Sequence, residues 1–241
     1  LPESLVEKSQ LKNGIYLIED SCHSLNTNFK KSQKLSDFIF YSPKKIIKEI
    51  YSGGILKLNN IKKDQDILEK KLNLYRVSYF NIINTYLEKY LISLKRYLKY
   101  LFFTMPTYNK FNSIKNLKIS KDYAIDKSSL ERLNKTKLKT IMKLKIENYN
   151  KWKKICLKND MMIPINRKIN NNIIPWMFPV NVKDAKTKKK ILSFGWKNGY
   201  SITSWPTLPK RTINSSTKRK WRNLICFYTD KAPKVIKHVN F

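Results

Sequence analysis

The chain is poor in several residue types, and each shortage excludes something. Its three cysteines, Cys22, Cys156 and Cys226, stand far apart with no Cys-x-x-Cys pair among them. They suggest neither a disulfide framework nor a zinc site, and a reducing, intracellular (cytoplasmic) setting fits best. No apolar run reaches eighteen residues, because Lys95, Arg96 and Lys99 interrupt the most hydrophobic region, Tyr90 to Met105. A membrane span is therefore not expected. The first residues, Leu1-Pro2-Glu3-Ser4, lack the basic start and apolar core of a signal peptide. No methionine stands at position 1, which raises the expectation of a fragment. Histidine occurs twice, at His23 and at His238 near the basic C-terminus, and His238 is assigned no role.

Acidic residues are scarce as well: 17 Asp and Glu face 50 Lys and Arg, for a formal net charge of +33. Such a charge ordinarily points first to a nucleic-acid partner. Here the lysines run along nearly the whole chain beside abundant Asn, Ile and Tyr, with little Gly or Ala, the residue usage of AT-rich coding DNA. Most of the charge is thus read as compositional drift on a solvated surface, and a phosphate-binding surface is the alternative. Apolar residues make up 41% and aromatic residues 12% of the 241 positions, enough for a packed core in one large domain or two small ones.

Between Gly14 and about Asn60 the pattern is strand-like, with apolar runs at Ile15 to Ile18, Phe38 to Tyr41 and Ile55 to Leu58. From Ile61 to Phe103 the spacing of Leu68, Leu72, Tyr75, Tyr79, Ile82, Ile83 and Tyr86 predicts a long amphipathic helix, opened by Asp66 with Glu69 and ended by Pro106. Residues 107 to 124 read as an irregular connection. Ser128-Ser129-Leu130-Glu131 then opens a second helical region running toward Lys158. Pro164 and the run Asn170-Asn171-Asn172 mark a loop. A smaller unit follows: a strand Trp176 to Val182, a helix from Asp184 as N-cap to Asn198 with Gly199 as its stop, and strands Tyr200 to Ser204 and Leu224 to Thr229. The predicted class is α/β, with a sheet-bearing part over residues 1–105, and a helical insertion plus a small C-terminal α+β lobe over 106–241. The sequence shows no internal repeat.

Two apolar runs end abruptly in ionisable residues: Gly14 to Ile18 in Glu19-Asp20-Ser21-Cys22-His23, and Phe38 to Tyr41 in Ser42-Pro43-Lys44-Lys45. Buried parallel strands deliver side chains to a site at their carboxyl ends in this way. The set suits a protein holding pyridoxal phosphate (PLP), in which a carboxylate pairs with the pyridinium nitrogen and a lysine forms the Schiff base. A structural alternative stands beside each candidate. Asp20 can equally cap the turn after its strand, His23 can be structural, and Lys45 can be one more surface lysine. Ser42 can donate to a phosphate oxygen, and Gly53-Gly54 can let the backbone approach a ligand or simply form a turn.

Glu19-Asp20-Ser21-Cys22-His23-Ser24-Leu25 resembles the EDxAHxL segment of DegT/DnrJ/EryC1/StrS-type aminotransferases. Ser42-Pro43-Lys44-Lys45 with Ser52-Gly53-Gly54-Ile55-Leu56 resembles their SxRK…dGGxL segment, in the same order and spacing. Ile174-Pro175-Trp176-Met177-Phe178-Pro179-Val180, Gly199-Tyr200-Ser201-Ile202 and Trp205-Pro206-Thr207-Leu208-Pro209 are similar to segments of the family's small domain. The resemblance implies a fold type I PLP enzyme, usually a homodimer. It would have Asp20 on the pyridinium nitrogen, His23 near the ring, Ser42 near the phosphate and Lys45 as covalent anchor and proton shuttle. It implies transamination of a keto substrate, commonly a nucleotide-linked keto sugar, with glutamate as amine donor. Two departures stand out: Lys44 replaces the family's usual Arg, and the chain begins only about twenty residues ahead of Asp20. The family has a further N-terminal portion carrying a phosphate-cradling loop and a stacking ring. As given, the chain resembles the C-terminal part of such an enzyme, and an uncovered sheet edge and face are expected. The other readings are a basic nucleic-acid-binding or ribosome-associated protein, with Trp152, Trp176, Trp196, Trp205 and Trp221 as stacking sites, and a catalytically degenerate homologue.

Overall fold

The computed structural model describes residues 15–26, 36–59, 77, 79–102, 124–165, 173–204 and 222–233. The expectations for Asp66, Pro106, residues 107–123, Asn170 to Asn172, Trp205 to Pro209, Trp221 and His238 lie outside them. The chain divides into two units that interleave in sequence. One comprises residues 1–86, 119–141 and 171–174, and the other 87–118, 142–170 and 175–241. Helix and strand are mixed, in keeping with the α/β class.

In the first unit, β1 (Ile18–Asp20) and β3 (Phe38–Tyr41) pair in parallel, with Ile18 opposite Phe38 and Asp20 opposite Phe40. β4 (Ile55–Leu58) pairs antiparallel on the other side of β3, giving the order β1-β3-β4. Side chains alternate across a strand, so Ile18, Asp20, Phe38 and Phe40 share one face while Ile39 and Tyr41 point to the other. Ile39 and Tyr41 are buried, and Leu25, Ile46, Ile47, Ile50 and Ile174 complete this unit's apolar interior. On the opposite face Ile18 is 60% and Phe40 41% exposed, and among the described residues β1 is an edge strand. Read as the end of a buried strand, Asp20 was expected in a buried setting; it is exposed instead, on the less covered face of the described sheet.

β2 (Ser24–Asn26) and β6 (Ile173–Pro175) form a separate two-stranded sheet. After β3, Pro43 starts the four-residue helix α1 (Pro43–Ile46), where its fixed φ and missing N–H cost nothing. α4 (Lys127–Lys135) starts one residue earlier than the serine pair suggested. Its N-cap is Asp126, whose carboxylate accepts from the Ser129 N–H at 2.8 Å and from the Ser52 hydroxyl at 2.6 Å. Thr136 then separates α4 from α5 (Leu138–Leu157), where one continuous helical region was expected. The predicted long amphipathic helix is present within its described part as α2 (Tyr79–Tyr90) and α3 (Ile92–Leu101).

The second unit is built on an antiparallel sheet of order β5-β7-β9-β8: Met162–Pro164, Met177–Val182, Leu224–Tyr228 and Ile202–Ser204. β5 was missed in the sequence because Pro164 reads as punctuation, and an edge strand tolerates it. α6 (Ala185–Lys197) follows β7. Asp184 caps it by accepting from the Thr187 N–H at 2.7 Å, and Gly199 closes it with φ +68°, as expected from the sequence. Gly195 is required by packing, since a Cβ there would meet the Ile202 side chain at 2.6 Å. Trp152, Phe178, Phe227, Ile191, Leu192 and Ile225 are fully buried together in this core. The Trp152 indole N–H donates to the Tyr228 and Lys231 carbonyls, and that of Trp196 to the Ile202 carbonyl. Both rings are therefore core residues and are removed from the suggested stacking sites. The buried Lys145 ammonium is ion-paired with Asp230, which offsets the cost of placing a charge inside. Among the described residues, no helix is long and apolar enough to cross a membrane and no group of acidic, histidine or cysteine residues is arranged to hold a metal.

Candidate cofactor site at the ends of two parallel strands

Asp20 is the last residue of β1 and lies opposite Phe40, one residue short of the end of β3. Parallel pairing brings both carboxyl ends out on the same edge of the sheet. Beyond β1 the chain turns through Cys22 and His23, and beyond β3 it passes Ser42 into α1, which carries Lys45. The two strand ends are tied together by the Ser21 N–H, which donates to the Phe40 carbonyl at 2.9 Å. The Lys45 N–H donates to the Ser42 carbonyl at 3.1 Å, closing the first turn of α1. Asp37 anchors the other end of the pair, accepting from the Leu17 N–H at 2.9 Å.

The ionisable groups feel one another. Asp20 Oδ1 accepts from the Cys22 N–H at 3.0 Å. The Cys22 thiol and N–H together hold the Asp20 carboxyl below its ordinary value despite some desolvation, and the positive fields of His23 and Lys45 add to this. His23 is held below its ordinary value of 6.5, first by desolvation and then by repulsion from Lys45, with Asp20 acting the other way. Cys22 is pushed up to about 11 by desolvation and by the carboxylate beside it. At neutral pH the arrangement is therefore an ionised carboxylate, a neutral imidazole and an unreactive thiol. Lys45 is half-buried, as is Ser42, whereas Asp20 and His23 are exposed.

No family model matches the chain, and no curated protein matches it. Among solved structures it is similar to the "Putative sugar aminotransferase Spr1654 from Streptococcus pneumoniae, PLP-form", at 12% identity and a TM-score of 0.44. The match covers 92% of this chain and 54% of that one, so the chain spans about half the length of that protein. A likeness this distant does not assign a family, and the case for a site rests on its residues.

Asp20, His23 and Lys45 are thus near enough for each charge to act on the others. Ser42 lies three residues before Lys45. The donor set fits the ring side of PLP: a carboxylate that is ionised at neutral pH can accept from a pyridinium N–H, and its bonds to Cys22 leave acceptor capacity for one more donor. Gly53 has φ +80°, and a Cβ on it would meet the Ile125 side chain at 2.5 Å, so the turn and the packing of Ile125 explain this glycine. Two contributors were not anticipated. Phe40 displays an aromatic ring on the same face as Asp20, a position legible from the alternation Phe38-Ile39-Phe40-Tyr41 once the register is known. Cys22 orients the carboxylate through the short turn two residues beyond it, and nothing in its own chemistry signalled this.

Proposed function

We propose that the chain forms the lysine-bearing part of a PLP-dependent aminotransferase of the DegT/DnrJ/EryC1/StrS type. Its substrate would be a keto sugar or another small keto compound, with glutamate as amine donor. The observation that supports this reading best is the parallel pairing of β1 and β3, which brings the strand ends leading into Asp20, His23 and Lys45 out on the same edge of one sheet. In this reading Asp20 holds the pyridinium N–H. Lys45 would be the covalent anchor, and its Nζ would carry a proton to and from the substrate carbon that bears the amino group, the proton shuttle of the 1,3-shift of transamination. His23, neutral, lies beside the ring and its phenolic oxygen without adding a positive charge. Ser42 donates its hydroxyl to a phosphate oxygen. PLP supplies the electron sink that makes a substrate C–H bond acidic. A homodimer and a cytoplasmic setting belong to the same proposal.

The test must distinguish Lys45 from the other lysines of a chain with 50 Lys and Arg. The full chain is incubated with PLP, reduced with borohydride and mapped by peptide mass. The expected result is a label concentrated on Lys45, with a visible absorbance band that Lys45→Ala abolishes and Asp20→Asn weakens. A free-cofactor spectrum in folded protein, or a label spread evenly over surface lysines, contradicts the reading.

A further inference from the structure

The helix α3 carries a pattern that the cofactor reading does not use. It lies wholly within the second unit, as does α6, against which it packs. At about 100° per residue, Leu94, Leu98 and Leu101 fall on one side of α3, joined by Leu91 just before it and Phe102 just after it. All five are exposed: Leu94 is 54%, Leu101 52% and Phe102 71% accessible. Tyr97, exposed as well, stands at the margin of this stripe. Lys95, Arg96 and Lys99 fall outside it, and α3 has no acidic residue. The helix is apolar along one side and purely basic in its charge, the composition of a helix that lies in a membrane interface.

α6 extends the positive field. Its inner side holds Ile191, Leu192 and Trp196 in the core, and its outer side carries Lys186, Lys189, Lys190 and Lys197, all exposed. No acidic residue interrupts α6, and Asp184 before it is engaged by the Thr187 N–H as the cap. An exposed apolar stripe needs a cover, and the charge beside it decides which. A second copy of a chain of net charge +33 would set these lysines against their like. A protein groove that encloses a helix needs access around it, and α6 occupies one side of α3. A single-stranded nucleic acid matches the charge but stacks on aromatic rings and makes no use of leucines. An anionic bilayer matches both features: the leucines enter the acyl boundary, the lysines meet the headgroups, and Tyr97 stands at headgroup level.

We infer that α3, with the lysines of α6 beside it, is a docking surface for an anionic phospholipid bilayer. The contact is superficial and spans nothing, since the 10 residues of α3 extend about 15 Å at a rise of 1.5 Å per residue, against a hydrocarbon core of about 30 Å. This inference is independent of the cofactor site.

Co-sedimentation of the full chain with vesicles tests it, using phosphatidylcholine alone and phosphatidylcholine with phosphatidylserine, in about 0.15 M salt, where the Debye length is about 8 Å. Binding is expected only where phosphatidylserine is present. Leu94→Ser combined with Leu98→Ser should weaken it about tenfold or more, since two apolar side chains then no longer enter the acyl boundary. Lys95→Glu, which alters only a charge, should weaken it about tenfold. Leu144→Ser, at an exposed leucine of α5, should leave it unchanged. Circular dichroism matching the parent shows that the variants are folded. A chain that ignores phosphatidylserine vesicles overturns the inference. So does binding that both the leucine variant and Lys95→Glu leave intact, which is the diffuse attraction of a polycation. A dimer that forms without vesicles and that the leucine variant dissociates overturns it too, because the stripe is then covered by a second copy.

Discussion

Trp152 and Phe40 are both large aromatic residues in sheet-bearing units, and their surroundings differ sharply. Trp152 is fully buried against Phe227, with ring centroids 4.7 Å apart, and its N–H is spent on backbone carbonyls. Phe40 stands on an open sheet face beside an ionised carboxylate. Around its sheet the second unit packs Trp152, Phe178 and Phe227 into a closed core, and the buried charge of Lys145 is neutralised by Asp230. The first unit leaves apolar surface and titratable groups exposed side by side. An uncovered ring beside a carboxylate contributes little to folding and leaves surface on which a ligand can bind.

The contrast can be broken at its strongest point first. Trp152→Ala should cost about 3–5 kcal/mol, the range for removing a large ring from a packed interior, read as a lowered urea midpoint. Phe40→Ser, on the open face, should change stability by no more than about 0.5 kcal/mol while weakening retention of PLP in an equilibrium dialysis assay. A large stability loss at position 40 would mean that the face is covered in solution. Asp126→Ala should fall between the two, at about 1–2 kcal/mol, because it removes the α4 cap and the acceptor of the Ser52 hydroxyl. The smallest effect concerns pH. His23 is held below its ordinary value in the folded chain, so the unfolded chain binds its proton more readily. Its contribution to stability is complete above about pH 6.5 and fades as pH falls toward the folded value. His23→Gln should flatten that part of a stability-against-pH curve slightly.

Much of the second unit could be read from its residues. Asp184 and Gly199 bracket α6 by side-chain capping and left-handed backbone, both local effects that a sequence displays directly. The run Trp176 to Val182 likewise announced a strand, which is present as Met177–Val182 with one face buried. The first unit was harder, for physical reasons. The run at Ile15 to Ile18 looks the same whether one face or both are covered, because coverage is set by distant segments. Asp126 escaped notice as a cap because the neighbouring serines offer the same chemistry, and only Ser52, far away in sequence, singles it out. Asp20 and Lys45 were legible as strand-end residues, whereas the help of Cys22 and the display of Phe40 depend on register. Gly53 was legible as a turn glycine, whereas its close packing against Ile125, 72 positions away, was not.

The central claim is that Asp20, His23 and Lys45 share one electrostatic site. The most direct measurement is an NMR titration of the His23 imidazole in the parent chain, Lys45→Met and Asp20→Asn. The account predicts shifts in opposite directions: the His23 value rises when the lysine's repulsion is removed and falls when the carboxylate's attraction is removed. An imidazole that titrates identically in all three proteins would contradict it.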